Sequence, residues 1–152
     1  MTEQLKQVFT CLLLQSLLSA TAWSQQSTPS EAFRTRPPED EIVYFVLPDR
    51  FENGDQTNDR GGLKGDRLQT GFDPTHKGFY HGGDLRGLTQ QLDYVEGPGA
   101  TAIWLGPIYK NKPVQGPPGK ESAGYHGYWI TDFTEVDPHF GTKRELKAFV
   151  DV

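Results

Sequence analysis

A parallel α/β fold is the class this sequence predicts, and three observations carry the prediction. IVYFVL (residues 42–47) and TAIWL (residues 101–105) are short runs, apolar on both faces and rich in β-branched residues. Buried strands of a parallel sheet have that texture. Between them, Leu85, Leu88, Leu92 and Val95 recur at helical spacing, which puts them on one face of a helix. Strand, helix and strand in that order make a βαβ unit, hence a parallel pair with a right-handed crossover.

Each element has its own signals. At the start, Lys6 precedes an apolar run over residues 8–18, followed by the small residues Ser19, Ala20, Ala22 and Ser24. That is the pattern of a secretory signal peptide over residues 1–24, cleaved near Ala22 or Ser24, and it predicts export to a periplasm or the medium. The run is too short to span a bilayer comfortably, so no stable membrane anchor is expected; an uncleaved amphipathic N-terminal helix or anchor is the alternative. Cys11, the sole cysteine, lies inside that run, so a mature chain would have no disulfide and no cysteine-based metal or redox site. Residues 25–40, rich in Ser, Thr, Pro and charge, read as a flexible linker before a folded part over residues 41–152.

Pro48 stops the first strand, and a polar loop follows to about residue 83, too poor in apolar residues to build a core of its own. Loops of that length are usually functional or tied down, for example by a metal. Asp84 is placed to start the helix, and Gly97, Pro98 and Gly99 end it. Gly106 and Pro107 halt the second strand, and residues 111–124 read as loop. Thr142 and Glu145 make a capping box for a last helix whose apolar face is Leu146, Phe149 and Val150. Two strand–helix units neither close a barrel nor cover both faces of an open sheet. The chain therefore reads as the front of a larger protein, and alone it would leave both strands largely uncovered and prone to aggregate.

Composition narrows the function. The 152 residues carry a net charge of −5 with 35% hydrophobic residues, which suits one globular domain, and 17 Gly with 11 Pro imply many turns. The acidic balance and scattered Lys and Arg argue against nucleic acid as a partner.

Three constellations could carry chemistry. Asn53, Asp55, Asn58 and Asp59 place four side-chain oxygens within seven residues, with Gly54 to permit a tight turn. A hard cation such as calcium requires such oxygens, and Gly82 and Asp84 could add a carbonyl and a carboxylate. The spacing departs from an EF-hand, and metal-free Asx turns are the commoner cause of such a run. The second constellation is residues 125–142, YHGYWITDFTEVDPHFGT. Stiff aromatic faces beside hydrogen-bonding groups suit a sugar ring: Tyr128 could stack on it while His126 and Trp129 bond its hydroxyls. A loop whose aromatics merely pack beneath it is the competing explanation. The third is the acids Asp132, Glu135 and Asp137, too close along one loop for the paired roles of a glycosidase. The four histidines, at 76, 81, 126 and 139, lack the spacing of a zinc helix.

Taken together, VYFVLPDRFENGD, FYHGGDLRGLTQQLDY, ATAIWLGPI and YHGYWITDFTEVDPHFGT, in that order, resemble the α-amylase family, glycoside hydrolase family 13. The resemblance covers residues 41–152. It implies that residues 42–47 and 101–105 are the first two strands of a (β/α)₈ TIM barrel, incomplete in this chain. It implies a calcium ion held by Asn53, Asp55, Asn58, Asp59, Gly82 and Asp84. It also implies an α-glucan or maltooligosaccharide substrate, with Tyr128 stacked on the glucose ring at the cleavage point and His126 and Trp129 beside it. A full-length relative would be expected to cleave α-1,4-glucosidic bonds with retention. The family's nucleophile, acid/base and stabilising carboxylates belong to later strands, expected downstream of Val152, so these residues alone are expected to be inactive. Two other readings remain: a calcium-dependent, non-catalytic glucan-binding module, and a non-catalytic relative that keeps the barrel as a scaffold.

Overall fold

The computed structural model describes residues 35–152, and the architecture below is that of the unit Pro38–Val152. The signal peptide and most of the linker expected from sequence lie outside the described residues.

Strand β1 (Val43–Val46) pairs in parallel with β2 (Ala102–Leu105), Val43 opposite Ala102 and Val46 opposite Leu105. Backbone bonds run past both ends: Thr101 N donates to Ile42 O at 2.9 Å and Gly106 N to Val46 O at 2.8 Å. Val46 is buried, but Val43, Phe45 and Trp104 are 54%, 58% and 66% exposed, with the Phe45 and Trp104 rings edge to face at 6.2 Å. The strands are thus where the sequence puts them, but not buried on both faces. Two strands shield one side only, and nothing among the described residues covers the other.

The connecting helix is two short helices, α2 (Leu85–Gln90) and α3 (Leu92–Glu96), not one. They part at Gln91, whose φ of −108° and ψ of 17° leave helical geometry. The Thr89 hydroxyl donates to Leu85 O at 2.7 Å, a back-bond of the kind that bends helices. Leu85 and Leu88 are fully buried and Val95 nearly so, as their periodicity requires.

The core lies elsewhere than the strand pair. Phe79, Tyr80, Leu85, Ile108, Ala123, Val136 and Phe140 form one buried cluster. Phe79 and Tyr80 come from the long polar segment that the sequence reading credited with no core. They are large enough to be central despite their polar surroundings, and burying each contributes roughly 2–3 kcal/mol before chain ordering is counted. That segment also carries α1 (Arg67–Thr70), opened by an Asp66–Gln69 capping box and closed by Gly71 at φ 76°. A hairpin of β4 (Val114–Gln115) and β5 (Ser122–Ala123) follows β3 (Tyr109–Asn111). Strand β3 pairs antiparallel with β6 (Ile130–Val136), with register shifts on both sides of Lys110. Seven residues of the aromatic stretch are therefore strand, as their Ile, Thr and Val content favours. The last helix, α4 (Lys143–Asp151), has the expected reciprocal capping box: Thr142 N donates to Glu145 at 2.9 Å and Glu145 N to Thr142 at 3.3 Å. Glu145 also accepts from Arg86 at 2.8 Å, tying α4 to α2.

Candidate functional site: a polar loop and an aromatic platform

Both candidate regions lie along the segments that leave the carboxyl ends of β1 and β2, where open or closed parallel sheets carry their sites.

The polar loop is organised by Asp84, a fully buried carboxylate at the N-cap of α2. Its Oδ1 accepts from Gly87 N at 2.7 Å and Gly54 N at 3.2 Å. Its Oδ2 accepts from Asp55 N at 2.8 Å and Asn58 Nδ2 at 3.1 Å. Asn53 Nδ2 donates to Asp59 Oδ1 at 2.7 Å. With both amide nitrogens directed at carboxylates, Asn53 Oδ1 and Asn58 Oδ1 are buried and have no partner among the described residues. Gly82, at φ 96°, closes over them: a Cβ there would lie 2.5 Å from Asn53 Nδ2 and 2.7 Å from Asp59 Oδ1. Burial pushes the Asp59 carboxyl up, helped by the charges of Asp84 and Asp55 and opposed by the Asn53 bond.

Asp55 is the exception in this set. Its carboxylate accepts from Thr57 N at 3.0 Å and Thr57 Oγ1 at 2.6 Å and pairs with Arg86 at 3.0 Å. The Thr57 bonds hold its pKa below the usual carboxylate range, with Arg86 adding to them. No cluster of three or more His, Cys, Asp or Glu suited to a metal occurs among the described residues. What converges here instead is a pair of orphaned amide oxygens beside carboxylates, and buried orphan acceptors are rare enough to require an explanation. Such a donor set fits a hard cation, which takes neutral and anionic oxygens alike.

The platform is built on Gly127. At φ 80° it takes a turn that a side chain would oppose, and a Cβ there would collide with the Pro107 carbonyl after β2. The turn throws Tyr128 outward, 66% exposed. His126 stacks on Tyr128 with centroids 5.7 Å apart, and meets Trp129 edge-on at 4.6 Å. His126 Nδ1 accepts from Tyr128 N at 3.0 Å, and burial holds the imidazole below its ordinary pKa. The three sequence-predicted residues are thus brought together.

Two supports of the platform were given no role by the sequence. Buried Asn111 accepts from Trp129 N at 2.7 Å, while its own N–H donates to Asp137 Oδ2 at 2.7 Å. On the other flank, the Arg50 guanidinium lies 4.0 Å above the Tyr125 ring. Asp49 and Arg50 stand just beyond the end of β1, inside the stretch VYFVLPDRFENGD, which by itself assigns them no role.

The third constellation separates. Asp132 bonds to Thr134, Glu135 pairs with Lys143 at 2.9 Å, and Asp137 is buried beneath Asn111. Asp137 Oδ1 lies 2.7 Å from His139 Nδ1, whose Nε2 reaches Thr70 O at 2.7 Å, and Tyr80 stacks flat on the imidazole at 3.9 Å. Asp137 and His139 therefore join the aromatic stretch to α1; they are structural. His76 and His81 are equally engaged with local backbone.

Comparison with known proteins identifies the family. The family profile described as alpha amylase, catalytic domain, matches residues 45–152. An α-amylase of Streptomyces lividans is 51% identical over 138 residues, spanning 88% of this chain but 15% of the relative. Among solved structures, the cyclomaltodextrin glucanotransferase CldA is 44% identical with a TM-score of 0.63, over 73% of this chain and 22% of that one. The α-amylase GTA of Geobacillus thermoleovorans, solved with acarbose, is 46% identical with a TM-score of 0.54, over 76% and 20%. The chain thus spans less than a quarter of the length of these relatives. On the match over residues 45–152, the chain belongs to the α-amylase catalytic-domain family.

Proposed function

We propose that residues 41–152 supply the first two strand–helix units of a (β/α)₈ barrel in an exported α-amylase-type glycoside hydrolase acting on α-glucans. The observation that carries this reading is the platform: Tyr128 exposed, backed by His126 and Trp129, on the segment after β2 in a chain of this family. In this account Tyr128 offers its face to a glucose ring, and His126 and Trp129 bond the hydroxyls around it. The reaction assigned to the full-length protein is retaining hydrolysis of α-1,4-glucosidic bonds. None of Asp132, Glu135 and Asp137 is arranged as its acid/base pair, so the catalytic carboxylates are assigned to other segments.

The polar loop is assigned to calcium, with Asn53, Asn58, Asp59 and Gly82 as its holders and Asp84 joining by giving up one of its four N–H bonds. The orphaned Asn53 and Asn58 oxygens and the half-buried Asp59, whose carboxyl is pushed up by desolvation, support this. Asp55 would join only by leaving Arg86 or through its backbone. Bound calcium would supply positive charge to a half-buried anionic loop.

Incubating the full-length protein with maltoheptaose and recording the anomeric form of the first product by proton NMR tests the proposal. An α-configured product is expected. Binding without hydrolysis would favour the non-catalytic module, and neither binding nor hydrolysis would reject the glucan assignment.

A further inference from the structure

We propose that Arg50 is a positioning residue of the aromatic platform, holding Tyr125 and through it the His126 side of the sugar-facing surface. The inference rests on the platform reading and adds a residue to it. Among the described residues, Arg50 is attached at three points. It forms an ion pair with Asp49, donates to Lys77 O at 2.8 Å, and lays its guanidinium 4.0 Å from the Tyr125 ring centroid. A planar fork can meet a carboxylate and a carbonyl at its edge while presenting its face to an aromatic ring; an ammonium cannot do all three.

The anchor beneath it is rigid. Asp49 is 2% exposed and accepts from His81 N at 2.9 Å and Gly82 N at 3.2 Å. Arg50 therefore stands on the same carboxylate that fixes the glycine closing the polar loop. On its other side, Tyr125 meets His126 edge to face at 5.2 Å, and His126 is the ring that touches both Tyr128 and Trp129. A shift of Tyr125 is thus passed to His126, whose neighbours are the sugar-facing rings. Asn111 holds Trp129 from the opposite flank, so the platform is braced at both ends.

The test is a double-mutant cycle on maltoheptaose affinity in the full-length protein, comparing the unaltered chain, Arg50→Lys, Tyr125→Leu and the double variant by calorimetry. Each single change is expected to weaken binding about tenfold, and the double change no more than the worse single one, because both break one link. In Arg50→Lys, the NMR titration of His126 should also move up towards an ordinary imidazole value, since looser packing readmits water. The response of the melting temperature to chelator should stay as in the unaltered protein. Unchanged affinity in Arg50→Lys, or losses that multiply in the double variant, would overturn the assignment. If Arg50→Lys does not fold, Tyr125→Leu decides alone, since it leaves the Asp49 pair intact: undiminished affinity there overturns the inference. Failure of the unaltered protein to bind maltoheptaose would instead overturn the platform reading itself, and this inference with it.

Discussion

The polar loop and the aromatic platform sit on neighbouring segments, yet their chemistry is opposite. The loop is half-buried around one fully buried carboxylate, anionic and over-supplied with acceptors: Asp84 takes four N–H bonds, and two buried amide oxygens still have no partner among the described residues. The platform is exposed and aromatic, and its polar groups are bonded to backbone that sets ring direction. One region is incomplete inside; the other is complete inside and open to solvent. Incompleteness inside points to a resident ion that stabilises the fold, and openness outside points to a ligand that comes and goes. The comparison makes a clear demand. Perturbing the loop should move stability, and perturbing the platform should move binding.

The largest effect is expected at Asp84. Asp84→Ala leaves four donors around an empty site and should destabilise the full-length protein by roughly 3–5 kcal/mol, read from urea denaturation. A loss below about 1 kcal/mol would show that the loop is not organised by this carboxylate.

Removing calcium comes next. Chelator should lower the melting temperature of the full-length protein, and Asn58→Ala should remove most of that response. An unchanged melting curve with chelator would take away the metal assignment.

Platform changes should be gentler on the fold. Tyr128→Ala should weaken maltoheptaose binding about tenfold, the loss of one exposed stacked ring, with the melting temperature nearly constant.

The smallest effects are in pH, and the two regions should differ in sign. The Asp59 carboxyl is raised in the folded state, so the folded chain binds its proton more tightly than the unfolded one. Metal-free stability should then fall as pH rises from the ordinary aspartate pKa through the raised one, and Asp59→Asn should flatten that fall. His126 is lowered in the folded state, so the unfolded chain holds its proton more tightly. Its contribution is present above the ordinary histidine pKa and is lost as pH falls through the depressed one. Protonation would also replace the Nδ1 acceptor that Tyr128 N uses, so glucan binding should weaken on acidification. Matching slopes at the two sites, measured by denaturation and by calorimetry across pH, would erase the distinction.

The sequence made some of this visible and hid the rest for identifiable reasons. Leucines at helical spacing and the Thr142–Glu145 box located the helices because those signals are local. The break at Gln91 depends on a hydroxyl choosing the Leu85 carbonyl, which spacing does not reveal. Strand β6 was missed because its pairing with β3 is made by residues about twenty positions away, across a Gly- and Pro-rich hairpin. Phe79 and Tyr80 were overlooked as core because their sequence neighbours are polar, while their partners Ile108, Val136 and Phe140 arrive from elsewhere in the chain. At the site, His126, Tyr128 and Trp129 were legible as a contiguous motif. Arg50 and Asn111 were not, since each acts on the platform from a separate segment. Asp55 fitted the loop by spacing, but its carboxylate found Thr57 and Arg86 instead.

The central claim is that the platform, and not the loop, meets the glucan. Calorimetric titration of maltoheptaose into the full-length protein at neutral pH and saturating calcium, with and without Tyr128→Ala, tests it most directly. The account predicts binding that weakens about tenfold in the variant at an unchanged melting temperature. Equal affinity in the two proteins would contradict it.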